Sequence, residues 1–225
     1  MTVNLEKMHI MDRNKDISQV ASTVHRVLGA ESDAIRQQLN ILDMNVVDKL
    51  VALFCECTGK ILVTGCGTSG AAAKKIAHSF CCINRPSAYL SPADARHGGA
   101  GLICEQDIVV ILSKGGATPE LVELAQIARA KGAVTVAVSE KERSRLTQEC
   151  DLWLQVKVDS EPDAFNMLAT ASTLSVISVM DAIIICVMER TGFSREEFAV
   201  IHPGGAVGER LSRCQETKGR KPQVS

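Results

Sequence analysis

The 225-residue chain sets 25 basic residues against 26 acidic ones, a formal net charge of −1, with 46% hydrophobic residues and 3% aromatics. That is enough apolar material for one α/β core and too little for two full domains. The balanced charge and scarce rings exclude the basic, base-stacking surface of a nucleic-acid binder.

Residues 1 to about 18 are polar and aperiodic, and they lack the apolar core of a signal peptide. Residues 19 to 58 repeat apolar positions at helical spacing (Val20, Val24, Val27, Leu28, then Leu39, Leu42, Val46, Val47, Leu50, Val51, Phe54), which predicts two helices split near Leu42 to Asn45. From there strand and helix signals alternate: strand Ile61 to Thr64, helix 69 to 82, strand Ser87 to Leu90, strand Ile108 to Ser113, helix 118 to 131, strand Val134 to Ser139, helix 141 to 148, strand Leu152 to Val158 and helix 170 to 190. Five short β-rich runs separated by helices imply an α/β fold, a three-layer αβα sandwich around a five-stranded parallel sheet with flavodoxin-like winding, preceded by the N-terminal helices. Ligands of such sheets bind where strands one and three diverge at their C-terminal ends. A short helix is expected after Ser194, then the turn-like Ile201 to Gly208, and residues 215 to 225 read as a disordered basic tail.

Nine cysteines (Cys55, Cys57, Cys66, Cys81, Cys82, Cys104, Cys150, Cys186, Cys214) show no Cys-x-x-Cys pairing and read as reduced, buried thiols in a cytoplasmic protein. The most apolar stretch, Leu174 to Met188, is interrupted by Asp181, so no membrane span is expected.

Two loops carry the chemistry. Ile61-Leu-Val-Thr-Gly-Cys-Gly-Thr-Ser-Gly70 and Ile108-Val-Val-Ile-Leu-Ser-Lys-Gly-Gly-Ala-Thr-Pro-Glu120 each follow an apolar run and open a helix. Glycine lets backbone amides approach a ligand, a helix N-terminus adds partial positive charge, and hydroxyls donate, so phosphate is the natural guest. The bland alternative for Ser69, Ser113, Ser172 and Thr173 is helix capping. Gly65-Cys-Gly-Thr-Ser-Gly70 also spells a dinucleotide fingerprint with Asp94 downstream, but that chemistry leaves the second hydroxyl loop without a purpose. His97 and His202 lie in Gly-rich turns, where imidazole suits proton transfer near neutrality, and two histidines without a third ligand make a poor metal site. Glu120 opens a helix, where the macrodipole alone favours a carboxylate, and Glu161 follows strand five in a polar loop. His9, His25 and His78 read as structural or exposed, and Lys74-Lys75 as a solvated face.

From about Val20 to Leu211 the chain resembles the sugar isomerase (SIS) domain family, and within it the arabinose 5-phosphate isomerases. The match is carried by Thr64-Gly-Cys-Gly-Thr-Ser-Gly70, Ser91-Pro-Ala-Asp-Ala-Arg-His-Gly-Gly-Ala-Gly101 and Phe198-Ala-Val-Ile-His-Pro-Gly-Gly-Ala-Val-Gly208. The resemblance implies an aldose-ketose isomerase working through a cis-enediol on a phosphorylated sugar, without metal or cofactor, in a homotetramer whose active sites are shared between subunits. It places the acid/base positions on Glu120, Glu161, His97 and His202. Phosphate contacts fall on Gly67, Thr68, Ser69, Ser113, Lys114, Gly116 and Thr118, with Ser172 and Thr173 opening the last long helix. The chain departs from the pattern at Thr68, where a Lys is usual, and at Gly115, Ser91 and Gly99; Lys114 can replace part of the missing cation. The paired CBS modules that many such isomerases carry are not expected here. Other readings are an isomerase of a different pentose or hexose phosphate, and a non-catalytic module that binds a phosphosugar.

Overall fold

The structure, a computed structural model, describes residues 5–204, with side chains from residue 16 onward. Five parallel strands, β1 (Ile61–Gly65), β2 (Ser87–Tyr89), β3 (Ile108–Leu112), β4 (Val134–Ser139) and β5 (Leu152–Gln155), lie in the order β2-β1-β3-β4-β5. Helices α2 (Met44–Glu56), α3 (Gly67–Cys81) and α7 (Ala171–Arg190) supply one apolar cluster against the sheet. Helices α4 (Pro92–Ala95), α5 (Pro119–Ala130) and α6 (Arg145–Glu149) supply the other, along with a 3-10 turn at Gly99–Leu102. Alternation within a strand sends side chains to both: Ile61 and Val63 join the first cluster while Leu62 joins the second, and Ile108, Val110 and Leu112 oppose Val109 and Ile111. Covered on both faces, β1 and β3 are apolar almost throughout. The expected α/β sandwich and its winding are therefore the observed ones.

Buried polar groups fix the strand ends. Asp107, just before β3, bonds Lys60 Nζ at 2.7 Å and accepts backbone N–H from Lys60 (2.9 Å) and Cys104 (2.7 Å). Beyond Gln155 the backbone at Lys157 pairs with the Gln38 side chain instead, which donates to Lys157 O at 2.7 Å and accepts from its N–H at 3.4 Å. This is why β5 stops short of the expected Val158: β4 ends at Ser139, opposite Gln155, and offers no further ladder.

Several expected boundaries shift. Helix α1 (Leu5–Ile41) starts within the stretch read as aperiodic, because residues 5 to 18 contain no Gly or Pro and nothing stops propagation from the amphipathic part. Helix α6 begins only at Arg145, where Ser144 forms a capping box with Thr147. The segment Ser91 to Gly101, read only as a motif, folds into α4 and the 3-10 turn. Helix α8 (Arg195–Ile201) follows Ser194 as expected. Helix α7 is long and apolar enough to cross a membrane by length and composition, yet it packs along α1, α2 and α3 and buries Val179, Met180, Ile183 and Val187. Its Asp181 pairs with Lys75.

The expectation of buried thiols is corrected. Cys66, Cys81, Cys104 and Cys186 are exposed and Cys55, Cys57, Cys82 and Cys150 partly buried; Cys214 lies outside the described residues. All eight described thiols are unpaired in disulfide terms. Cys57, Cys66, Cys82 and Cys150 flank helix ends and Cys104 lies in the loop before β3, where the chain reaches the surface. Lys74 and Lys75 are more than a solvated face, since Lys74 Nζ stands 5.1 Å from the Tyr89 ring centroid.

Candidate functional site

The C-terminal ends of β1, β3 and β4 open into a cleft of about 120 Å³. Thr68 and Ser69 line it from the β1 side, Ser113 and Lys114 from β3, Ser139 and Glu140 from β4, and Ser172 and Thr173 from α7, over a floor that includes Leu112, Val138 and Val156. Backbone bonds lock the second and third loops together: Glu140 N–H donates to Lys114 O, and Leu146 N–H to Gly116 O, both at 3.0 Å. The first loop is tight for a different reason. A Cβ on Gly70 would lie 2.7 Å from Gly65 O, and one on Gly65 2.8 Å from Ser69 backbone. Gly67 (φ +57°) and Gly116 (φ +64°) occupy the left-handed region.

Helix caps divide by location. The N-termini of α2, α4, α6 and α8 are capped by the side chains of Asp43, Ser91, Ser144 and Ser194. Those of α3, α5 and α7, which meet the cleft, begin at Cys66, Thr118 and Thr170 and receive no side-chain cap from these residues. The capping explanation for the hydroxyls is thus not what the geometry shows. Ser113 and Thr118 hydroxyls face each other at 3.5 Å, and Thr173 donates to Ala169 O at 3.0 Å. At α3 and α5 the cap residue's side chain accepts no bond from the first amides, and the first turn of α3 holds no acidic residue while that of α5 holds only Glu120; amides left open in this way are where a helix N-terminus takes a bound anion.

At α7 the anion is internal. The Glu161 carboxylate, wholly buried, accepts from Thr170 N–H (3.0 Å), Ser172 N–H (3.3 Å), the Ser172 hydroxyl and Lys114 Nζ (2.7 Å). Burial raises its pKa, but the Lys114 and Ser172 side chains and the two amides outweigh that and hold it below the ordinary value of 4.5. Glu161 is therefore not the solvated loop residue that its polar surroundings in sequence allow. Lys114 also stands 3.8 Å from Glu140 Oε1. Glu140 moves the other way: burial lifts its pKa above 4.5 despite Lys114 nearby.

The structure gathers Thr68, Ser69, Ser113, Lys114, Ser172 and Thr173 around one cavity, with Glu161 behind Lys114 and Gly67 and Gly116 shaping the loops. It does not bring the remaining expected acid/base residues into that cavity within one chain. His97 is exposed beyond α4. His202 stacks on Phe198 with ring centroids 3.9 Å apart and 13° between planes. Glu120 lies in the first turn of α5, where its charge, second to burial, raises the pKa of Cys66 across the mouth. Asp94, which a dinucleotide site needs at the end of β2, sits instead in α4. The sequence reading missed Ser139 and Glu140; their one signal is position, at the end of a central strand without a glycine-rich loop. Ser139 accepts from Trp153 Nε1 at 3.0 Å, which leaves Glu140 as the unassigned charge in the cleft. Among the described residues no three His, Cys, Asp or Glu side chains cluster as metal ligands.

Known proteins resemble the chain in sequence and in fold. The arabinose 5-phosphate isomerase KdsD of Pseudomonas aeruginosa is 34% identical over 201 residues, covering 89% of this chain and 60% of its own. The chain thus spans about 60% of the length of the curated relatives it matches. A solved structure of a candidate sugar-phosphate isomerase from Listeria monocytogenes superposes with a TM-score of 0.81 at 44% identity, covering 82% of this chain and 97% of that one. A protein of Escherichia coli CFT073 solved in complex with arabinose 5-phosphate gives 0.79 at 25% identity, covering 83% and 98%. The profile of the SIS domain matches residues 54–185, the stretch that runs from the end of α2 through the sheet and cleft into α7. By sequence and by fold, the chain belongs to the SIS domain family.

Proposed function

We propose that this protein is a phosphosugar aldose-ketose isomerase, with arabinose 5-phosphate and ribulose 5-phosphate as its substrate pair. The observation that carries the reading is the pair of helix N-termini, those of α3 and α5, that lack side-chain caps beside a hydroxyl-lined cleft with a lysine in its wall. The α3 and α5 amides, with Ser69, Ser113 and Thr118, bind the phosphate, and the sugar extends toward Lys114 and Ser172. Isomerisation needs a proton removed beside a carbonyl and a donor for the oxygen that becomes negative. Lys114, steadied by Glu161, is that donor, and it replaces the cation absent at Thr68. Glu120 stands at the mouth of the cleft, and His97 and His202 complete the site from neighbouring subunits of a homotetramer. The resemblance to KdsD and to the Escherichia coli protein that binds arabinose 5-phosphate supports the pentose phosphate pair.

The test is a panel of arabinose 5-phosphate, ribose 5-phosphate, glucose 6-phosphate and their ketoses, followed for aldose-ketose conversion. Conversion of the arabinose pair above the others is the expected result. Conversion of a different pair replaces the substrate, and binding of several without conversion of any replaces the enzyme by a phosphosugar-binding module.

A further inference from the structure

Two carboxylates flank Lys114 in opposite states. Glu161 accepts four hydrogen bonds, as many as a carboxylate has lone-pair directions, so it has no position left for a substrate proton. Glu140 lines the same cleft with a side chain 19% exposed, and its Oε1 is buried without a hydrogen-bond partner, 3.8 Å from Lys114 Nζ. The charged groups that act on it are Lys114 from the loop after β3, Lys157 after β5, and Glu161. Burial favours its protonated form, the poise a proton carrier needs. It is a feature of this chain's loop after β4, and neither the hydroxyl loops nor the histidine turns point to it.

We propose that Glu140 is the group that carries the substrate's C2 proton, a catalytic role that rests on the isomerase reading. Its carboxylate forms an O–H bond to the proton on the carbon beside the carbonyl. The C–H electron pair becomes the enediol C=C bond, and the carbonyl π pair moves to oxygen, where Lys114 donates a hydrogen bond. The proton held on Glu140 exchanges with solvent before one is delivered from Glu140 to the former carbonyl carbon, while the hydroxyl proton passes between the two oxygens. Nothing is oxidised or reduced overall, and Glu140 ends as a carboxylate.

The experiment compares wild type, Glu140→Gln and Glu140→Asp for C2-proton exchange into deuterated water with arabinose 5-phosphate, ribose 5-phosphate and glucose 6-phosphate, across pH, with inorganic phosphate binding as a fold control. Glu140→Gln is expected to lose about 10²- to 10⁴-fold in exchange while binding inorganic phosphate no more weakly than wild type. Glu140→Asp should recover part of the rate, and the acid limb of the wild-type kcat/KM profile should vanish in Glu140→Gln. Exchange in Glu140→Gln within threefold of wild type, or an unchanged acid limb, overturns the role of Glu140 and leaves the isomerase reading standing. Absence of exchange by wild type on every sugar overturns both. Should Glu140→Gln fail to fold, the Asp variant decides: a shifted acid limb supports the role and an unshifted one overturns it.

Discussion

Lys114 shows how much a single charge depends on its neighbours. Its ammonium is anchored on Glu161 and lies near Glu140, so removing Glu161 both releases a substrate-facing cation and strips α7 of its internal anion. Glu161→Gln should cost about 1–3 kcal/mol, measured by urea denaturation, because a charged hydrogen-bond network becomes a neutral one. The same network sets a pH dependence. Glu161 and Asp107 titrate below their ordinary values in the folded protein, so the unfolded chain binds protons more readily. Their stabilisation is complete above the unfolded carboxylate range and is lost as pH falls through the folded values. The urea midpoint should therefore hold steady from neutrality down to about pH 5 and decline below that. A midpoint that rises on acidification contradicts the assignment. At Cys150, burial pushes the thiol up to about 12, so it should resist iodoacetamide at pH 8 while exposed Cys66, Cys81, Cys104 and Cys186 react, as peptide mapping reads directly. The hydroxyl loops were legible because glycine and serine before a helix have local physical meaning. Glu140 was not, since its role depends on a lysine brought from another loop, and the partnership of Glu161 with residue 114 spans 47 positions that only the folded sheet closes.

At the scale of elements, strands and long helices were readable because both faces of a parallel sheet demand continuous apolar runs and helices demand their own period. The misreadings fall where tertiary pairing decides. β5 ends where β4 does, and Gln38 of α1 takes up the backbone beyond it. The β1 to α3 turn makes the sharpest structural prediction. Gly70→Ala places a methyl 2.7 Å from Gly65 O and 3.2 Å from the Tyr89 hydroxyl, and backbone cannot yield as a side chain can. A loss of about 1–3 kcal/mol in denaturant unfolding is expected, with weaker phosphate binding because the α3 amides are displaced. Gly67→Ala meets no atom within 4 Å and suffers only its positive φ, so its loss should be the smaller of the two.

Across the whole molecule, apolar surface is left uncovered on one side. Ile17, Val20, Val24 and Leu28 form an exposed stripe along α1, and the loop before α7 presents Phe165 (79% exposed) and Met167 (82%). That loop is firmly built: the Asp163 carboxylate accepts N–H from Phe165, Met167 and Leu168 at 2.8–2.9 Å, and Arg26 of α1 bonds Pro162 O. Ordered apolar surface of this kind suits the subunit contacts of the proposed tetramer, which also has to bring His97 and His202 to the cleft. Light scattering should give four chains per particle, and Val20→Asp with Leu28→Asp should lower that number; a wild-type monomer would defeat the shared-site arrangement. His202 and the segment that follows it were singled out by motif alone, and Gly205 to Gly208 lie outside the described residues.

The central claim is that a phosphosugar is held and turned over at the C-terminal ends of β1 and β3. Its most direct test is aldose-ketose conversion of arabinose 5-phosphate by wild type beside the double variant Ser69→Ala, Ser113→Ala. Turnover by wild type, with KM raised at least tenfold in the variant through loss of two phosphate contacts worth about 1 kcal/mol each, is the outcome the account requires. Turnover that is indifferent to both hydroxyls would place the chemistry elsewhere, and tight binding without turnover would make the cleft a receptor for sugar phosphates instead of an active site.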